Sequence, residues 1–139
     1  MCGIFGFAGI EASGLLERMG DSLVHRGPDS VGYMRKPQVS MGARRLSIID
    51  IDGGDQPAYN EDGSIVVCQN GEIYNHVELR AELEAAGHQF SSRSDTEVLA
   101  HAYEEWGDDF AEHLNGMFAV AIWDGGRRRL LLVRDRCGQ

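Results

Sequence analysis

The chain is 139 residues long, the length of one ordinary domain, with 13 Lys and Arg against 22 Asp and Glu and a formal net charge of −9. Its longest basic run is "RRR" at 127–129, no footprint for a phosphate backbone, so nucleic acid is excluded as a partner. No apolar run approaches the ~18 residues that span a bilayer, and the start lacks a charged segment followed by an apolar one, so the chain reads as cytoplasmic with no membrane partner.

The first stretch, Cys2 to Ala8, alternates small and apolar residues and predicts a strand. A helix fits residues 13–24, with Leu15, Leu16, Met19 and Leu23 on one face, and "HRGPDS" stops it. Val31 to Met34 and Val39 to Leu46 predict strands, the second with Val39, Met41 and Ala43 alternating. "DIDGGDQPAYNEDG" is a turn-rich connection.

Ser64 to Gln69 predicts a short strand running into "NGEIYN", where Asn75 and Glu78 have capping-box character before the helix "HVELRAELEAAG". Leu79, Leu83 and Ala86 form that helix's apolar face. A further helix starts at "SDTE" with Ser94 and Glu97 as its capping box, carries Val98, Leu99, Ala102, Tyr103 and Trp106 on a stripe, and ends at Gly107. "MFAVAIWD" and "RLLLVRD", joined by "GG", predict a hairpin whose unbroken apolar runs suit strands covered on both faces. The fold class is α+β.

Three cysteines, Cys2, Cys68 and Cys137, without a C-x-x-C pair, argue against a disulfide framework or a zinc ribbon and read as reduced thiols. The five histidines include no H-x-x-x-H pair on a predicted helix, so they read as surface or capping residues and no metal site is expected.

Position 2 becomes the amino terminus if Met1 is removed. An N-terminal cysteine can act as a nucleophile with its own α-amine as base, because amine (pKa ~7.7–8.0) and thiol (~8.5) both titrate near cellular pH. A small apolar residue in a first strand is the competing reading of an isolated "MC". Asn70 and Gly71 offer an amide side chain and an unhindered backbone N–H, the donors an oxyanion needs; an N-G turn between strand and helix is the alternative. For a substrate with an α-carboxylate and an α-ammonium, Arg26, Arg44 and Arg45 are candidate clamps for the first, and Asp29, Glu72 and Asp95 for the second. A solvated charge or a helix cap accounts equally well for each, and the residues alone do not choose.

Taken together, "MCGIFGF", "HRGPDS", "RRLSIID", "QPAYN", "NGEIYNHVELRAEL", "SDTEV" and "LNGMFAVAIWD" resemble, in order and over nearly the whole chain, the glutaminase domain of glutamine-hydrolysing asparagine synthetases. The resemblance implies a class II glutamine amidotransferase over residues 1–139 with the N-terminal nucleophile hydrolase fold, a four-layer αββα sandwich, expected to be incomplete at its C-terminus. By the resemblance Cys2 attacks the glutamine side-chain amide, Asn70 and Gly71 form the oxyanion hole, and a γ-glutamyl thioester is hydrolysed to glutamate after ammonia leaves. It assigns Arg45 to the α-carboxylate, the backbone around Ile48 to the pocket wall, and Glu72 and Asp95 to the α-ammonium, while 26–29 serve as framework.

Ala43, Gln69 and Cys68 depart from the family pattern, and Cys68 adds a second thiol near the oxyanion hole. The glycines at 3 and 6 suggest room for glutamine beside the first strand. The chain stops at "LLLVRDRCGQ", where the pattern continues into further strands and a synthetase domain, so it reads as a fragment or truncated product. The implied partners are glutamine and that synthetase domain, with a homodimer as an allowed assembly. No cofactor is expected here, and ATP and Mg²⁺ belong to the synthetase domain. A non-catalytic module of the same fold, or an amidotransferase with another ammonia acceptor, are the rival readings.

Overall fold

Strand β1 (Gly3–Ala8) lies antiparallel to β3 (Val39–Arg45), which pairs on its other side with β2 (Ser30–Lys36), so the first sheet runs β1-β3-β2. The computed structural model describes residues 2–9, 12–46 and 53–138. A second antiparallel sheet runs β4-β5-β6-β7, from β4 (Ala58–Tyr59), β5 (Ile65–Ile73), β6 (Gly116–Asp124) and β7 (Arg129–Arg134). The two-residue β4 lies inside the stretch predicted as turn, too short for alternation to register.

Alternation along the strands sets the layers, because successive side chains leave a strand on opposite faces. Met34, Val39, Met41 and Ala43 of the first sheet meet Val66, Cys68 and Trp123 of the second in a core between the sheets. On the far side of the second sheet, Val67, Ile73, Val120 and Ile122 pack against Leu79 and Leu83 of α2 (His76–Ala86) and Val98, Leu99 and Tyr103 of α3 (Asp95–Trp106). Leu83 and Leu99 are fully buried, each contributing ~1.5–3 kcal/mol of transfer free energy. Helix α1 (Leu15–Ser22) covers the first sheet's outer face, with Leu16 buried and Gly20 against Phe5. The order of layers is helix, sheet, sheet, helices, the αββα sandwich of an α+β fold. Among the described residues, no helix is long and apolar enough to cross a membrane.

Several local expectations shift. Helix α1 is shorter than 13–24 because Gly14 adopts φ 69°, a left-handed residue that cannot lie inside a helix, and Leu23 has left helical geometry. The strand predicted to end at Gln69 continues through Asn70 and Gly71 to Ile73, so "NG" is not a turn. Asn75 precedes α2 but makes no side-chain cap; it instead accepts from the Asn115 N–H and donates to the His113 carbonyl, each at 2.9 Å. Ser94 does cap α3, accepting from the Thr96 N–H at 3.1 Å. Glu97 does not complete the box: its carboxylate accepts from the N–H and hydroxyl groups of Ser91 and Ser92. Ala86 is exposed. The hairpin β6–β7 forms as predicted, but β7 is an edge strand with Leu132 70% exposed, because the three-stranded sheet covers only part of the four-stranded one.

Candidate active site

The register Gly3↔Arg44 places Cys2 level with the end of β3, where the chain leaves the sheet. There the Leu46 N–H points at Cys2 Sγ at 3.5 Å, and Arg26 Nε donates to the Cys2 carbonyl at 3.3 Å. Arg26 therefore clamps the backbone that presents the thiol, which agrees with a framework role. Neighbouring arginines on β3 diverge. Arg44 turns towards α1, donating from Nε to the Gly20 carbonyl at 2.9 Å and from Nη2 to Asp21 at 3.0 Å. Arg45 points the other way and is 4% exposed, with Nη1 3.4 Å from Asp55 Oδ1.

Across the sheet interface, β5 brings Gly71 and Glu72 to the same opening. Gly71 has φ 148°, and a Cβ there would lie 2.0 Å from the Met117 carbonyl on β6, so only glycine allows this pairing. Its neighbour Asn70 has a buried Oδ1 with no hydrogen-bond partner among the described residues. At the first turn of α3, Asp95 is 6% exposed and its Oδ2 accepts from Gln69 Nε2 and from the Ile73 N–H, both at 3.0 Å.

Cys2, Arg45, Gly71, Glu72 and Asp95 line one pocket, together with Leu46, Gln56 and Ser94. Five sites from four separate segments of the chain thus converge on one opening. Asn70 adjoins Gly71 without forming part of the pocket wall, and Arg26, Asp29 and Arg44 stand outside it. Ile48 lies outside the described residues.

Gln69 and Gln56 were not among the candidates. Gln69 is 1% exposed, its N–H donates to Gln56 Oε1 at 2.7 Å, and its side chain holds Asp95. The signal was present as one polar residue ending the apolar run "IVVC".

Three further expectations are corrected. A Cβ on Gly3 would meet Leu23 Cδ1 at 3.2 Å and one on Gly6 the Ser40 carbonyl at 2.5 Å, so these glycines serve close packing and leave no room for a substrate. Cys68 is buried between the sheets, and burial pushes its thiol up to about 12, so it is inert and not a second site thiol. His101 is 0% exposed, which ends its reading as a surface or capping histidine.

The family model described as a glutamine amidotransferase domain matches residues 1–139. The chain belongs to that family. The amidotransferase domain is 46% identical to asparagine synthetase [glutamine-hydrolyzing] 2 of Bacillus subtilis (strain 168), over 99% of this chain and 19% of that protein. It is 43% identical to asparagine synthetase [glutamine-hydrolyzing] 2 of Oryza sativa subsp. japonica, over 99% of this chain and 24% of that protein. The chain thus spans about a fifth to a quarter of the curated relatives it matches.

A solved glutamine phosphoribosylpyrophosphate amidotransferase from B. subtilis, complexed with ADP and GMP, aligns with a TM-score of 0.78 at 22% identity. The alignment covers 99% of this chain and 38% of that one. The likeness is one of fold, and it agrees with the layered α+β arrangement of helices and sheets described above.

Proposed function

We propose that the amidotransferase domain hydrolyses glutamine to glutamate and ammonia through a thioester on Cys2. The observation that carries this reading is the convergence of Cys2, Arg45, Gly71, Glu72 and Asp95 on one pocket. With Met1 removed, the Cys2 α-amine takes the thiol proton through a water, and Sγ attacks the side-chain amide carbon. The oxygen becomes an oxyanion that the Asn70 side-chain amide and the Gly71 N–H hold. The C–N bond then breaks as the protonated amine returns its proton to the leaving nitrogen, releasing ammonia. Water adds to the γ-glutamyl thioester, the C–S bond breaks, and glutamate leaves with the thiol restored.

Specificity for an amino acid side-chain amide follows from opposite charges in fixed relation. Arg45 holds the α-carboxylate, while Glu72 and Asp95 hold the α-ammonium. The ammonia serves asparagine synthesis from aspartate and ATP on a synthetase domain, where ATP and Mg²⁺ act. Support for this acceptor comes from the likeness to asparagine synthetases over 99% of the chain.

Acid-quenching the chain during turnover and weighing its N-terminal peptide tests the mechanism. The expected species starts at Cys2 and carries one γ-glutamyl group. A peptide that turns over glutamine while retaining Met1 would remove the α-amine from the mechanism.

A further inference from the structure

Four potential ligand side chains meet away from the amidotransferase pocket. They are Glu61 in the turn between β4 and β5, His88 after α2, and His101 and Glu104 one turn apart on α3. One donor atom from each lies within 4.8 Å of all the others. We propose that these four residues form a binding site for one divalent transition-metal ion of the zinc class.

Three of the six pairs in the donor set have separations close to those of a coordination shell. His88 Nδ1 lies 3.6 Å from Glu61 Oε1 and 3.7 Å from Glu104 Oε2, and His101 Nδ1 lies 3.4 Å from Glu61 Oε2. A tetrahedral ion with bonds of ~2.0–2.1 Å spaces its donors about 3.3 Å apart, near these three separations, and the full set, within 4.8 Å, must contract around the ion to reach it. Two imidazoles and two carboxylates are a borderline ligand set that suits zinc and its first-row neighbours better than the all-oxygen shells of calcium or magnesium.

A cluster of charges alone would say little, since acidic groups gather at surfaces without ions. The second observation is His101. Its side chain is 0% exposed, and neither Nδ1 nor Nε2 has a hydrogen-bond partner among the described residues. A fully buried imidazole with both nitrogens unmatched carries the full desolvation cost of two polar atoms, and coordination through Nδ1 removes half of it.

Outer partners are in place as well. His88 Nε2 lies 3.0 Å from Glu105 Oε2, the carboxylate behind a ligating histidine that fixes its tautomer. Glu104 Oε2 accepts from Asn60 Nδ2 at 3.2 Å, and Glu61 Oε1 accepts from the Gln89 N–H at 2.8 Å. His101 packs against Phe90 with ring centroids 4.3 Å apart and the planes tilted by 56°. Glu97 Oε1, 3.8 Å from His101 Nε2, is occupied by Ser91. An ion here would tie the β4–β5 turn and the loop after α2 to α3, the helix that starts at Asp95.

Equilibrium dialysis of the whole chain against Zn²⁺, read by elemental analysis, tests the site. One equivalent is expected, with a rise in Tm on the order of 5–10 °C at zinc about a hundredfold above Kd. His88→Ala and the more exposed Glu104→Gln should each weaken binding at least tenfold, and Glu105→Gln by about 10-fold to 100-fold. Replacement by Co²⁺ should give the visible bands of a tetrahedral nitrogen and oxygen site, without sulfur charge transfer. Binding below one equivalent overturns the proposal. So does affinity unchanged in both His88→Ala and Glu104→Gln, or a sulfur charge-transfer band, either of which puts the metal on the thiols.

Discussion

Gln69 on β5 donates its side-chain amide to Asp95 on α3 at 3.0 Å, a bond between two buried residues that joins the second sheet to the helix layer beneath it. The bond fixes one carboxylate oxygen of Asp95, leaving the carboxyl group's orientation dependent on the strand. Gln69→Leu keeps the volume and removes the donor. A buried charge that loses a hydrogen bond costs about 1–3 kcal/mol, so the variant should be less stable by that amount. Because Gln69 acts through Asp95, the KM for glutamine should rise about tenfold while kcat changes little. Steady-state kinetics that show a fall in kcat alone would count against this positioning role.

The two adjacent arginines of β3 make a paired test. Arg45 lines the pocket, whereas Arg44 is bonded to Gly20 and Asp21 of α1. Lysine cannot make a bidentate bond to a carboxylate, so Arg45→Lys should raise KM about 10-fold to 100-fold. Arg44→Lys should leave KM within about twofold. Equal effects at the two positions would contradict the assignment of the carboxylate to Arg45.

Cysteine reactivity should follow burial. Cys68 is buried and its thiol is pushed up to about 12 by desolvation, so at pH 8 roughly one molecule in ten thousand carries the thiolate. Iodoacetamide at that pH should label Cys2, which is partly exposed, and Cys137, which is exposed, but not Cys68. Intact mass should show two adducts on the native chain and three after denaturation. The folded state holds the Cys68 proton to about 12 and the unfolded state releases it from near 9. Stability present below pH 9 is therefore lost through that window, by at most about 1.4 kcal/mol per pH unit.

The two helix starts predict opposite outcomes for similar truncations. Ser94→Ala removes a formed cap on α3 and should cost about 1 kcal/mol, read as a lower midpoint in urea. Asn75→Ala removes no cap from α2. It breaks instead the bonds to His113 and Asn115, and should loosen the entry to β6, seen as faster amide exchange at Asn115.

The alternation of Val39, Met41 and Ala43, the stripe on α3 and the β6–β7 hairpin were legible because each is a local pattern that the core then uses. Asn70–Gly71 was ambiguous because its conformation is set from outside: the Met117 carbonyl, 46 residues on, approaches where a Cβ would sit. The Glu97 box failed for a related reason, since the serines at 91 and 92 compete for the carboxylate. In the pocket, charge alone left three arginines and three acids open, and strand alternation separated Arg45 from Arg44. Gln69 and Gln56 escaped because their partners come from other segments. The same holds for the cluster of His88 and His101, which no single-helix spacing announces.

Glutamate release from glutamine by the chain with its native start, compared with Cys2→Ala, decides whether Cys2 is the nucleophile. Measurable release by the parent chain is expected, and none above background for the variant, with the fold unchanged by circular dichroism. Release at an undiminished rate by Cys2→Ala would contradict that role.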